Sequence, residues 1–157
     1  MTDPELDLTI SRVIRAPRAA VWAAWIDPES FARWWVPKPA VVRVAAWEPV
    51  PGGAFRTEVS EGGGEFGPQI DGCFVVVDEL ERIVFTTALV AGWRPAPSPF
   101  ITGVFTFADH PDGTEYVARA LHKDAADRAM HEDLGFYDGW GAVTDQLAAL
   151  VEGRPRE

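Results

Sequence analysis

The sequence of 157 residues holds one cysteine, Cys73, two methionines, and 14 Lys+Arg against 24 Asp+Glu, a formal net charge of −10. A lone cysteine excludes an intramolecular disulfide framework and fits a reducing compartment. The shortage of basic residues argues against nucleic acid as a partner, because phosphate contacts need clustered Lys and Arg. The acidic balance likewise disfavours anionic membranes. No run approaches the ~18 apolar residues of a spanning helix. The opening MTDPELDLTI has neither a basic n-region nor an apolar h-region, so no signal peptide is expected and the expected localisation is cytoplasmic.

What the chain does have is apolar and aromatic mass. Hydrophobic residues make up 47%, ordinary for a globular protein and too high for a disordered one. The length suits a single domain over 1–157. Seven Trp and nine Phe carry apolar area that must enter a core or line a pocket. The 14 Gly and 13 Pro are spread along the chain, as in a fold with many turns.

Residues 6–15 alternate as a strand, with Leu6, Leu8, Ile10 and Ile14 on one face and Thr9 and Ser11 on the other. Arg12 interrupts the apolar face. It either reaches solvent or a carboxylate near the strand end, or points into a cavity as a buried cation. Pro17 sits where a first helical residue should, and RAAVWAAWI follows, with Val21/Trp25 and Trp22/Ile26 at i,i+4. Asp27-Pro28 reads as an N-cap and N1 pair that starts a second helix, ESFARWW, ended by Pro37 and Pro39.

From 40 to 123 the pattern is β throughout. Strands are expected at about 40–48, 54–60, 69–78, 82–90, 100–108 and 114–122. Their short turns imply an antiparallel meander. Gly72 and Gly103, inside strands, are candidates for curvature. Asp124 then reads as an N-cap, with Asp127 three residues on. A long helix is expected to run to about Val151, with Phe136, Trp140, Val143, Leu147 and Leu150 on one stripe. Gly135, Gly139 and Gly141 within it imply a kink or close approach to another backbone. Gly153-Arg154-Pro155 ends it.

The order is strand, two short helices, six strands, long helix: α+β, with one antiparallel sheet curved around the last helix. Four stretches carry a family resemblance: RAPRAAVWAAWIDPESFARWW, PGGAFR at 51–56, ERIVFTT at 81–87 and GWGAVTDQLAAL at 139–150. In this order and spacing the chain resembles the START-like helix-grip (SRPBCC) superfamily, and within it the heat-shock-protein-90 ATPase activator homologue family. The resemblance implies a hydrophobic cavity between sheet and helix, and no shared catalytic set.

Specific chemistry has little support in the residues. Ser11, Ser30, Ser60 and Ser98 lack a nucleophile-elbow context. Cys73, in GCFVVVD, reads as a small buried hydrophobe. His122 and His131 are placed to converge, but their spacing is not a zinc signature, so no metal and no cofactor is expected. Gly62-Gly63-Gly64 is a hairpin tip, not a phosphate loop.

The aromatic set is the strongest functional signal. Phe105, Phe107, Tyr116, Phe136 and Trp140 are expected between sheet and final helix, as core or as pocket wall. Tyr116 and His122 share a strand face with Ala118 and Ala120 between them, where small side chains leave volume. Trp93, in the Pro-rich loop, either caps a cavity mouth or packs on the sheet edge. Phe31, Trp34 and Trp35 would close another side. The candidate ligand-binding set is therefore Trp34, Trp93, Phe105, Phe107, Tyr116, Ala118, His122, Phe136 and Trp140.

Three functions compete. The first is binding of a small hydrophobic or aromatic ligand. The second is an enzyme of polyketide-cyclase-like or hydrolase-like type, with Tyr116, His122 and Arg12 as acid–base groups. The third is a chaperone partner, ranked last because the first strand opens at residue 6 and leaves no room before it for the N-terminal domain that the eukaryotic co-chaperone needs. The expected partner is a small hydrophobic molecule; a homodimer stays open.

Overall fold

A computed structural model of the chain describes residues 3–153. The elements run β1 (Asp7–Ile14), α1 (Arg18–Ile26), α2 (Pro28–Phe31), β2 (Val41–Trp47), β3 (Ala54–Ser60), β4 (Gly67–Asp78), β5 (Arg82–Thr86), β6 (Leu89–Val90), β7 (Arg94–Pro95), β8 (Thr102–His110), β9 (Gly113–Leu121), α3 (Ala125–Asp133) and α4 (Phe136–Val151). Seven strands form one sheet in the order β1-β9-β8-β5-β4-β3-β2, and β6 pairs only with β7. All pairings are antiparallel. The α+β helix-grip architecture expected from the order of elements is the one observed. Register shifts at Val44/Ala46, Thr57/Glu58 and Phe74/Val76 put the bulges in the β2–β5 half of the sheet.

β1 follows its alternation: Leu8 and Ile14 are buried, while Thr9, Ser11 and Val13 are exposed. Arg12 on the apolar face pairs with Asp145 of α4, so it reaches a carboxylate and is no buried cation in a cavity. Pro17 stands one residue earlier than read, at the N-cap of α1. Asp27 caps α2 as expected, its carboxylate accepting from the Ser30 N–H at 3.2 Å with Pro28 at the first turn. Regular helix stops at Phe31, however, and Trp34 and Trp35 lie in the turns that follow.

The expected strand 82–90 is split. Thr87 Oγ1 accepts from the N–H groups of Phe100 and Ile101 at 2.8 and 3.0 Å and donates to the Ile101 carbonyl at 3.1 Å. The regular β5–β8 pairing ends at Thr86 and Thr102, and beyond it the Thr87 side chain takes over part of the bonding to Phe100 and Ile101. The chain then makes the β6–β7 hairpin, turning at Gly92 and Trp93 with φ +79° and +65°. The two strand glycines do not mark the bulges. A Cβ on Gly72 would lie 2.6 Å from the Thr86 carbonyl oxygen, and one on Gly103 would lie 2.7 Å from the Phe85 ring. Both permit close packing.

The final helix is also interrupted. Asp124 caps α3 by accepting from the Asp127 N–H at 2.8 Å. Gly135, at φ +99°, then breaks the helix before α4 begins. A Cβ on Gly139 or Gly141 would meet nothing within 4 Å, so neither serves a close backbone approach. α4 ends at Val151 with Gly153 at φ +64°; Arg154 and Pro155 of the expected stop lie outside the described residues.

α4 packs on α1 and β1 through Phe136, Val143, Thr144, Leu147 and Ala148, with Trp140 and Leu150 partly buried. Trp25 of α1 is fully buried and has ring centroids of Phe105, Phe31, Trp35 and Trp34 within 4.8–5.8 Å. Phe55, Phe85 and Phe105 extend this cluster across the concave face as successive stacked rings. Trp25→Ala should lower stability by ~3–5 kcal/mol, as for other large-to-small core changes, read as a fall in urea midpoint. Trp25→Phe should cost less than half of that, because most ring contacts survive.

Candidate functional site

Between the concave face and the last helices lies a cavity of about 290 Å³. Phe105 of β8 and Tyr116 and Ala118 of β9 form its floor. Gly139, Trp140, Val143 and Thr144 of α4, with His131 of α3, form its roof. Trp34, Trp35, Val36 and Pro37, after α2, close one side. Gln69 and Ile70 of β4 with Phe100 and Ile101 close the other. Pro37 and Gln69, one on each side, are exposed to solvent. Among the described residues no Asp, Glu, Lys or Arg lines the space.

Small residues on facing walls leave the volume. Ala118 projects from the sheet, and Gly139 stands in α4 with no atom within 4 Å of where its Cβ would be. Trp140 lies parallel to Phe105 at 5.8 Å, 13° between planes, so roof meets floor at one end.

The polar groups around the cavity are mostly paired. Trp34 Nε1 donates to the Ala24 carbonyl at 3.0 Å, and Trp47 Nε1, outside the cavity, donates to that of Ile26 at 2.7 Å. Thr144 Oγ1 donates back to the Trp140 carbonyl at 2.7 Å. The Tyr116 hydroxyl accepts from Trp25 Nε1 at 3.1 Å, and its burial pushes the phenol pKa upward, which keeps it neutral. Trp35 Nε1 is buried and has no hydrogen-bond partner among the described residues.

His122 and His131 do converge. His122 Nδ1 lies 2.7 Å from the Leu6 carbonyl, and its Nε2 lies 2.8 Å from His131 Nδ1. A carbonyl only accepts, so His122 Nδ1 carries a proton. In the uncharged pair His122 Nε2 then accepts from His131 Nδ1–H, and His131 Nε2, on the other side of its ring, is a bare acceptor. Burial first, and the neighbouring His122 second, lower the His131 pKa to about 4.

Of the nine residues singled out from sequence, Trp34, Phe105, Tyr116, Ala118 and Trp140 line the cavity. Four do not. Phe107 is buried beneath Trp22 of α1, edge-on at 5.4 Å. Phe136 is buried behind Trp140 and His131, at 4.7 and 5.2 Å. His122 is screened from the cavity by His131 and faces a separate depression shared with Thr86, Phe100 and Leu121. Trp93 is 51% exposed and packs over Gly52, where a Cβ would come within 2.5 Å of its Nε1; it caps no mouth. The acid–base trio also fails to assemble, since Arg12 is held by Asp145 and only Tyr116 of the three reaches the cavity.

A family model described as Activator of Hsp90 ATPase homolog 1-like protein matches residues 15–152. The chain belongs to this family. Among solved structures, this Hsp90-ATPase-activator-homologue-like chain is similar to a protein of Nitrosomonas europaea, 36% identical over 96% of this chain and 97% of that one, TM-score 0.90. It also shares its fold with a Mycobacterium smegmatis protein (24% identical, 99% of each chain, TM-score 0.79) and with an AHSA1-like protein of Aeromonas hydrophila (21%, 97% and 99%, TM-score 0.67). No curated protein matches. The helix-grip fold of this family commonly binds hydrophobic ligands. No described helix is long and apolar enough to cross a membrane. Among the described residues no group of three or more His, Cys, Asp or Glu comes together to hold a metal.

Sequence reasoning missed Gln69, Ile70, Phe100 and Ile101 as wall. The first two sit near a bulge at the exposed start of β4, and the others lie just before β8, where their N–H groups bond to the Thr87 side chain. His131 had a signal, its spacing from His122, but the apolar stripe drew attention to α4. In this family member the His pair makes stability pH-dependent. His131 titrates near 6.5 when unfolded and about 4 when folded, so the unfolded chain binds more protons between those values. Its contribution is complete above about pH 6.5 and is lost as pH falls towards 4. The half-exposed ring and solvent screening reduce the effect to ~1–2 kcal/mol. Urea midpoints should therefore fall more steeply from pH 6.5 to 4.5 in the parent than in His131→Gln; parallel profiles would contradict the assignment.

Proposed function

We propose that this chain binds one small, largely apolar molecule in the cavity between the sheet and α4. The observation that carries this reading is the lining: about 290 Å³ walled mostly by aromatic and aliphatic groups, with no Asp, Glu, Lys or Arg among the described residues. A dry apolar cavity of roughly 150 Å³ takes benzene. The space here suits a ligand of about two fused rings by the same scale. Binding is favoured over catalysis because the lining offers a single imidazole, lowered in pKa and with no carboxylate in the wall to orient it.

Naphthalene is a suitable probe, followed by the shifts of the indole N–H signals in NMR. The parent should bind it saturably at one site and release it unchanged. Gly139→Leu places a side chain in the vacant space, so affinity should fall at least tenfold. Stability should hold or rise by ~0.5–1 kcal/mol, because glycine inside a helix is unfavourable. A parent without saturable binding removes the reading, and undiminished affinity in Gly139→Leu moves the site elsewhere.

A further inference from the structure

Two residues that line the cavity of the proposed function, Trp35 and His131, carry hydrogen-bonding atoms with no partner among the described residues. Trp35 is 9% exposed, its ring lines the cavity, and its Nε1–H has no acceptor. Trp25, Trp34 and Trp47 of the same aromatic cluster each donate to an oxygen at 2.7–3.1 Å. A buried N–H without an acceptor is disfavoured, and native interiors rarely keep one. The second atom is His131 Nε2. The Leu6 carbonyl fixes the proton on His122 Nδ1, His122 Nε2 then takes the His131 Nδ1 proton, and Nε2 of His131 faces away from that pair as an acceptor. The absence of any cation or anion in the lining matters equally, since a charged ligand would lose its hydration with no counter-charge in return.

Resting on that binding reading, we propose that the cavity selects an uncharged, hydroxyl-bearing aromatic ligand whose oxygen accepts from Trp35 Nε1 and whose O–H or N–H donates to His131 Nε2. Carboxylates, phosphates and ammonium compounds are rejected. Trp35 is then the main determinant of polarity in the ligand, and His131 the second.

Four naphthalenes of similar shape test this on the whole 157-residue chain at pH 7.5: naphthalene, 2-methoxynaphthalene, which only accepts, 2-naphthol, which accepts and donates, and 2-naphthoate, which is charged. The dissociation constants should fall about fivefold from naphthalene to 2-methoxynaphthalene and again to 2-naphthol, one hydrogen bond at each step. The naphthoate should bind more weakly than any of them. Trp35→Phe should erase the gap between naphthalene and 2-methoxynaphthalene, whatever the change in affinity for naphthalene itself. In the unsubstituted protein the Trp35 indole N–H signal should move downfield with 2-methoxynaphthalene and not with naphthalene, a readout that does not depend on the variant folding. Equal affinities for the three neutral compounds, a gap that survives in Trp35→Phe, or preference for 2-naphthoate would each overturn the proposal while naphthalene binding still upheld the cavity as a site. Failure of all four to bind would overturn both.

Discussion

Trp25 enters the concave face from α1 with no exposed surface, and its N–H ends on the Tyr116 hydroxyl. This one contact ties the first helix to the ninth strand across 91 residues of sequence. It also settles what the sheet can hold. Phe31, Trp34 and Trp35 gather around the same indole, and Phe105 lies beneath it at 4.8 Å. Aromatic rings thus fill one end of the grip. α4 reaches the floor at the neighbouring Phe105–Trp140 stack, and the remaining space opens beyond those rings, over Ala118. The core and the cavity share walls: Trp34, Trp35, Phe105 and Tyr116 belong to both. A substitution among them disturbs stability and the site together, whereas a side chain added at Gly139 enters the site without disrupting the core.

The break at Gly135 has a similar double consequence. An unbroken helix from Asp124 would carry one straight stripe from α3 into α4. With Gly135 at φ +99°, α3 instead takes its own direction, and His131 comes to lie against His122 at the end of β9. α3 buries no residue completely, so the histidine pair and the contacts of Arg128 with the Asp7 carbonyl are what fasten it to the sheet. The imidazole in the cavity roof is therefore held by a helix that buries no residue completely, and the proton between the two rings is part of what holds it.

The fold was legible because its signals were local and periodic. Alternation in 6–15 and 114–122, the Asp27-Pro28 and Asp124 caps, and the α4 stripe each produced the element they describe. What escaped depended on competition between side chain and backbone. Nothing in the alternation of 82–90 reveals that the strand ends at Thr86 and that the Thr87 hydroxyl beyond it accepts from two N–H groups. The site was legible only where strand parity decided it, at Phe105, Tyr116 and Ala118. Parity also admitted Phe107 and His122 to the same face, and could not tell that Trp22 covers one and His131 the other. Trp93 misled for a related reason: an aromatic in a Pro-rich loop carries no period, and its place over Gly52 follows from a left-handed backbone at both Gly92 and Trp93.

The vacant volume is itself an argument about function. Protein interiors pack to crystal density, and an apolar void forfeits dispersion contacts along its whole lining. Simple remedies were open to this sequence. Alanine at 139 would relieve about 1 kcal/mol of helix-propensity penalty, and a larger residue there meets no obstacle. A partner for the Trp35 N–H would remove a buried unsatisfied donor. The chain takes neither course. It keeps a glycine where the helix disfavours one, and a bare donor on a residue of the cavity wall. Gly139 and Trp35 line the same space, and a molecule bound there as proposed would offset both at once, by filling contacts above Ala118 and by answering the indole.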